Sequence, residues 1–238
     1  MKMDLNKLIN ESNNIVFFGG AGTSTESGIP DFRSVDGLYN MKYKYRPETI
    51  LSSTFFHSKT KEFYEFYHDK MIVENVEPNF THYFLAELEK KGKLKGIITQ
   101  NIDGLHQLAG SKKVIELHGS IHRNYCLSCH ASYDLDYIKK AQGIPKCERC
   151  GHIVKPDVVL YEEGLDNNNI NEAIRLISEA DVLIVGGTSL NVYPAAGLID
   201  FYKKDKLVLI NKSTTPLDNK ANYIYNDSIS KVLKDIKL

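Results

Sequence analysis

"VFFGGAGTSTESGIPDFRS", residues Val16 to Ser34, decides the fold. An apolar β-branched run, Ile15 to Phe18, reads as a strand and ends in Gly20-Ala21-Gly22. Such a turn lets backbone N–H groups approach a pyrophosphate at a helix start. Glycines between a strand and a helix are also what an ordinary tight turn needs, so the motif alone is weak. It then departs from the usual dinucleotide pattern: Thr25 stands near the place of a third glycine, and Pro30, Asp31, Phe32 and Arg33 follow. A dehydrogenase also needs a second strand ending in Asp or Glu about 20 residues on. Here that region reads "LYNMKYKY", which disfavours hydride transfer and leaves any ribose to other residues.

Outward from this stretch, short β-branched runs recur at Asn14–Phe18, Gly96–Gln100, Lys113–Leu117, Val182–Gly187 and Leu207–Ile210. Each lacks polar alternation and therefore reads as a strand buried on both faces. Between them, Phe80–Lys91, Asn169–Glu179 and Ser228–Ile236 carry apolar residues three or four apart, the period of an amphipathic helix. Strands alternating with helices predict an α/β fold with a doubly wound, Rossmann-like parallel sheet. Two regions break the rhythm: the aromatic-rich Val35–Asn75, helical in "KTKEFYEFYHDKMIV", and the cysteine-bearing Ile121–Lys155. Both are expected to be insertions. The division is then 1–34, 76–120 and 156–238 for the sheet, with 35–75 and 121–155 as a smaller zinc-ribbon and helical domain.

Composition narrows the class. The 238 residues suit one large domain with an insertion, and 30 Lys and Arg balance 30 Asp and Glu. That balance gives no electrostatic reason to expect nucleic acid or an anionic membrane as partner. "MKMDLNKLINESNN" lacks the apolar core of a signal peptide, and no apolar run reaches the ~18 residues of a membrane span. A cytoplasmic protein is expected, and in that reducing compartment four cysteines favour a metal site over disulfides.

Cys126-Leu-Ser-Cys129 and Cys147-Glu-Arg-Cys150 stand 17 residues apart, within the C-x2-C, 15 to 20, C-x2-C spacing of a zinc site. Four thiolates leave no open coordination position, so the metal is structural. "CLSCH" also fits haem attachment, but the second C-x-x-C and the absent export signal favour zinc. Four unliganded thiols are the plainer alternative.

Ligands of open parallel sheets gather at the carboxyl ends of the strands. "TQNIDGLH", Thr99–His106, offers Gln100, Asn101 and Asp103 there; "GGTSLNVYP", Gly186–Pro194, offers glycines and hydroxyls; "LVLIN" delivers Asn211. Each could be a turn with capping residues, the commoner fate of these residue types. "ELHGS" puts His118 after a strand and before a glycine, where a histidine could take a proton beside the crevice. The other seven histidines, His57, His68, His82, His106, His122, His130 and His152, read as structural.

Together "GAGTSTESGIPDFR", "TQNIDGLH", "ELHG", the paired C-x-x-C motifs and "GTSLNVYPAA" resemble the sirtuins, NAD-dependent protein-lysine deacylases, in chain order and over nearly the whole length. The short chain resembles bacterial or archaeal members. The resemblance implies that Gly20, Ala21, Gly22 and Thr25 meet NAD, with Asp31, Phe32 and Arg33 in a loop covering the nicotinamide ribose. Gln100, Asn101, Ile102 and Asp103 would line the ribose and nicotinamide pocket. Gly187, Thr188, Ser189, Asn211 and Lys212 would hold the adenosine half, with Asp227, Ser228 and Ile229 against adenine. His118 would be the general base. An acyl-lysine protein or peptide would add as a strand between Val158, Val159, Leu160, Tyr161 and Leu190, Asn191, Val192. The implied products are deacylated lysine, nicotinamide and O-acyl-ADP-ribose.

Two departures stand out. Sirtuins commonly have a Phe-Gly-Glu-like run where this chain has Tyr161-Glu162-Glu163. Members that accept acidic acyl groups carry Tyr-x-x-Arg where this chain has Tyr67-His68-Asp69-Lys70, which favours neutral acyl groups. A mono-ADP-ribosyltransferase on the same fold is the competing enzyme, although such transferases tend to lack the histidine. A zinc module that senses NAD without turnover is the non-enzymatic alternative.

Overall fold

The apolar runs become sheet because each buries both of its faces. The computed structural model describes residues 4–31, 37 and 43–238. Its strands are β1 Ile15–Gly19, β2 Leu94–Thr99, β3 Val114–Glu116, β4 Gly119–Cys126, β5 Ser132–Tyr133, β6 Val154–Val158, β7 Val182–Gly186, β8 Leu207–Ile210 and β9 Tyr223–Tyr225. Six of them form one sheet in the order β3-β2-β1-β7-β8-β9, and every pairing is parallel. Counted within the sheet this is the 3-2-1-4-5-6 order of the doubly wound fold, whose crevice opens where the order reverses. Here the reversal falls between β1 and β7.

Alternate residues of β1 serve two separate cores. Val16 and Phe18 pack with Leu183 and Val185 against helix Asn167–Glu179, through Ala173, Leu176 and Ile177. Ile15 and Phe17 point the other way, with Ile97 and Ile184, to meet Leu8 and Ile9 of helix Leu5–Glu11 and Leu85 and Leu88 of helix Phe80–Lys90. A polar residue at any of these positions would face apolar groups on one side or the other, which is why the strands read as unbroken hydrophobic runs. Burial of a side chain such as Phe17 stabilises by roughly 1.5–3 kcal/mol.

A second sheet, antiparallel, has the order β5-β4-β6. It shares one core with the helical stretch before it: Phe55, Phe56, Phe63, Tyr64 and Tyr67 pack against Ile121, Ile138, Val154, Val158 and Leu160. Phe56 and Phe63 meet edge-on at 4.9 Å, and the Tyr64 hydroxyl donates to the Val154 carbonyl. The helical stretch runs through Ser53–Ser58 and Thr60–Phe66, then widens to a π-helical turn at Tyr67–Met71. No helix among the described residues is long and apolar enough to cross a membrane.

Candidate functional site

At the end of β1 the chain does not open an α-helix. It makes two short 3-10 turns, Ala21–Thr23 and Thr25–Ser27. The glycines serve close packing of two strand ends. A Cβ on Gly22 would lie 2.7 Å from the Gly187 Cα, and Gly187 itself has φ 63°. Gly22 N–H donates to the Gly187 carbonyl at 2.8 Å, which joins the loops after β1 and β7 at the reversal point.

A cleft of about 1150 Å³ opens above this junction. Side chains from four strand ends are linked across its floor. Ser24 donates to Asp103 Oδ2 at 2.7 Å and accepts from Asn101 Nδ2 at 3.0 Å. Gln100 Nε2 donates to Thr188 Oγ1 at 2.9 Å, and Thr188 N–H donates to Asn211 Oδ1 at 3.0 Å. Asn211 is 8% exposed and its Nδ2 has no partner among the described residues, so a donor is left over at the end of β8. A buried donor of this kind calls for a polar ligand or water.

His118 lies between β3 and β4. Its Nδ1 is 2.9 Å from the Gln100 carbonyl, which can only accept, so the proton sits on Nδ1 and Nε2 keeps the lone pair. Burial lowers its pKa below the ordinary histidine value against the opposing, raising effect of the Gln100 hydrogen bond, and this net lowering favours a neutral ring at pH 7. Its own carbonyl accepts Val159 N–H at 3.0 Å, so His118 is tied to the segment after β6. Burial raises the pKa of Asp103, while Leu105 N–H and Ser24 lower it. Arg123 adds a second tie between the sheets, bonding Glu116 of β3 at 2.6 Å and Asp157 of β6 at 2.8 Å.

Most of the residues singled out in the sequence meet in this one cleft. Gly20, Ala21, Gly22, Thr25, Asp31, Gln100, Asn101, Ile102, Asp103 and His118 line it. So do Val158, Val159, Leu160, Tyr161, Gly187, Thr188, Ser189, Val192, Asn211, Lys212, Asp227, Ser228 and Ile229. Phe32 and Arg33 lie outside the described residues. Leu190 and Asn191 are not in the lining: Leu190, at φ 55°, turns inward and is 3% exposed in the core, and Asn191 is exposed elsewhere. Ser24 was not singled out, and only its place inside the glycine motif pointed to it. Lys70 reaches the cleft, but its ammonium is held by Asp69 at 3.1 Å and lies 6.0 Å from the centre of the Tyr43 ring.

The four cysteines converge at the far end of the small sheet. Their Sγ atoms all lie within 4.8 Å of one another. Tetrahedral zinc with Zn–S of about 2.3 Å needs sulfurs about 3.8 Å apart, so the cluster fits one ion with no open position. Ser128 N–H points at Cys126 Sγ from 3.4 Å, and the Tyr133 hydroxyl donates to Cys147 Sγ at 3.1 Å, contacts suited to thiolates.

The model of the Sir2 family matches residues 20–194. An NAD-dependent protein deacetylase of Clostridium acetobutylicum is 62% identical over 236 residues, covering 98% of this chain and 96% of the relative. One of Staphylococcus epidermidis is 44% identical, covering 98% and 95%. Among solved structures, a Sir2 with deacetylated p53 peptide and 3'-O-acetyl-ADP-ribose superposes with a TM-score of 0.90 at 41% identity, over 99% of this chain and 98% of that one. A Sir2 with p53 peptide and NAD+ gives 0.86 at 41% identity, with the same coverage.

Proposed function

The chain belongs to the Sir2 family, and from that premise we propose that it removes acetyl groups from protein lysine in a reaction that consumes NAD. Acyl-lysine, NAD and water give lysine, nicotinamide and O-acyl-ADP-ribose. One observation carries the reading: His118 is a half-buried, neutral imidazole whose free Nε2 belongs to the cleft where the glycine loop of one sheet meets the segment leading from the other.

The roles follow from what each group can do. Backbone of the Gly20–Gly22 turn takes the pyrophosphate, Asp103 and Ile102 receive the nicotinamide amide, and Asn211 Nδ2 donates to the adenosine ribose. The acyl oxygen of the substrate attacks the ribose carbon that carries nicotinamide, and nicotinamide leaves. His118 then takes a proton from a ribose hydroxyl, which attacks the acyl carbon; water adds to that carbon, the lysine amine leaves, and the acyl group stays on a ribose oxygen. General base action of this kind contributes about 10²–10⁴-fold. Backbone after β6, Val158–Tyr161, receives the peptide as an added strand. Zinc, held by Cys126, Cys129, Cys147 and Cys150, supplies a structural crosslink for the small sheet and takes no part in the reaction. The cytoplasm, a reducing compartment, suits four zinc-bound thiolates.

Neutral acyl groups fit this site better than acidic ones. A buried carboxylate needs a fixed cation, and Lys70 already serves Asp69. We expect kcat/KM for acetyl, propionyl or butyryl peptides to exceed that for a succinyl peptide by more than ~10-fold, about 1.4 kcal/mol. Comparable turnover of all four on one peptide backbone would contradict that. Nicotinamide release from NAD and acetylated peptide, with mass spectrometry of the peptide, tests the activity itself. Loss of the acetyl mass supports deacetylation, gain of ADP-ribose means transfer, and no release means a sensor.

A further inference from the structure

Glu162 sits at φ 77°, in the left-handed region that glycine enters freely and a residue with a side chain enters at a cost. The sirtuin run that this segment resembles has glycine at this point, so this chain carries a side chain where that run has none. Its Oε2 accepts Thr54 N–H at 2.8 Å. Thr54 is in the first turn of helix Ser53–Ser58, on the other side of the small core. The remaining N–H groups of that turn are also met: Ser53 donates to the Tyr161 carbonyl at 3.0 Å, and Phe55 donates to Ser52 Oγ at 3.2 Å. Tyr161 N–H donates in turn to the Leu51 carbonyl at 2.9 Å.

The segment after β6 therefore supplies much of the cap of a helix more than 100 positions away in sequence. Glu163 braces it from the opposite side, accepting Leu160 N–H at 2.9 Å and pairing at 3.1 Å with Lys155, which is 4% exposed. Adjacent carboxylates thus fix one short, cleft-lining segment between two layers. Cap hydrogen bonds to a carboxylate are charge-assisted, and the hydrogen bond with Thr54 lowers the pKa of Glu162 accordingly.

We propose that Glu162 is a positioning residue for the acylated peptide: by capping helix Ser53–Ser58 it sets the spacing of Val158–Tyr161 from the helical layer, and with it the edge that the peptide strand meets. This rests on the deacetylase reading above. A residue that preorganises an edge lowers the peptide KM without touching the cofactor loops.

The test compares Glu162→Ala, Glu162→Gln and Glu162→Gly in the full-length, zinc-loaded protein. Four readouts are taken: melting temperature, Kd for ADP-ribose, and KM and kcat for an acetylated peptide at saturating NAD. Gln keeps a carbonyl acceptor and should hold peptide KM within ~3-fold of wild type, whereas Ala should raise it about 10-fold and lower the melting temperature. Gly relieves the backbone strain, so its melting temperature should exceed that of Ala while its peptide KM stays about 10-fold raised. Kd for ADP-ribose should remain within ~2-fold throughout, and kcat within ~3-fold. A Gly variant with wild-type KM, or KM following melting temperature across the series, would reduce Glu162 to a stability residue and overturn the proposal. So would a Gln variant as impaired as Ala. Failure of the wild-type protein to deacetylate would overturn the functional reading and this proposal with it, whereas an active wild type with unchanged variants overturns this proposal alone.

Discussion

The six-stranded sheet and the three-stranded sheet meet at one cleft, but they are held together by different means. The first has strands apolar on both faces and two cores of its own, one on each side. The second has one core, shared with the helical stretch before it, while β5 is only two residues long and the cysteine loops beyond it carry four thiols gathered at a point. Its own helix, Leu135–Lys140, contributes a single fully buried residue, Ile138. Burial alone should hold the parallel sheet; the small sheet needs its crosslink. The lesson is that the rigid part presents the strand-end loops of the cleft, and the part with the thiol cluster presents the lining segment Val158–Tyr161.

Metal removal should break this comparison most visibly. Structural zinc is worth on the order of 10–16 kcal/mol of apparent binding free energy in small zinc domains. With a strong chelator, hydrogen exchange should lose protection across 119–158 while β1, β2, β7 and β8 stay protected. Uniform loss over both sheets would mean that the regions fold as one unit, and unchanged protection would remove zinc from the account.

Matched core truncations sharpen it. Phe17 and Phe56 are both 0% exposed, one in each region. Replacing either by Ala should cost about 3–5 kcal/mol. Denaturant titration followed by zinc release should separate them: Phe56→Ala releases zinc at lower denaturant than it unfolds the parallel sheet, whereas Phe17→Ala loses both together. Coincident transitions in both variants would contradict the division.

A smaller effect belongs to two helices of the parallel-sheet region, Phe80–Lys90 and Leu105–Leu108. His82 and His106 stack edge to face at 4.8 Å behind the glycine loop. Burial lowers their pKa values to about 4 and about 3, with His82 contributing to the shift of His106. Both folded values lie below the ordinary 6.5, so the unfolded chain binds more protons as pH falls. Stability is therefore full above pH 6.5 and is lost on acidification towards pH 4. Between pH 6.5 and 5 the loss should be on the order of 3 kcal/mol, and His106→Leu should remove about half of that slope. Urea titrations of both proteins at matched pH cancel any contribution from zinc; an equal slope in the variant would exclude the pair as its source.

What the sequence made legible divides along the same line. Buried strands announced themselves because no position on them tolerates a polar side chain, and the cysteines because four ligands of one ion need fixed spacings. β9, Tyr223–Tyr225, was missed: three half-buried residues leave no run to detect. The glycine turn was legible, but the helix expected after it is replaced by 3-10 turns that fit the Gly22–Gly187 contact. Ser24 was hidden because its partners, Asn101 and Asp103, come from another strand end and are brought to it only by the parallel pairing of β1 with β2. Local sequence also could not reveal that Leu190, at a positive φ, has its side chain in the core. Glu162 looked like a departure without a purpose until the distant helix that it caps was in place.

The central claim is that His118, fixed at the junction of the two sheets, acts as the base after nicotinamide has left. His118→Ala should be assayed for two reactions in one preparation: deacetylation of an acetyl peptide, and exchange of labelled nicotinamide into NAD in the presence of that peptide. The account predicts a fall in deacetylation of at least ~100-fold with a clearly smaller fall in exchange, because bond cleavage to nicotinamide precedes the proton transfer. Equal losses in the two reactions would contradict it.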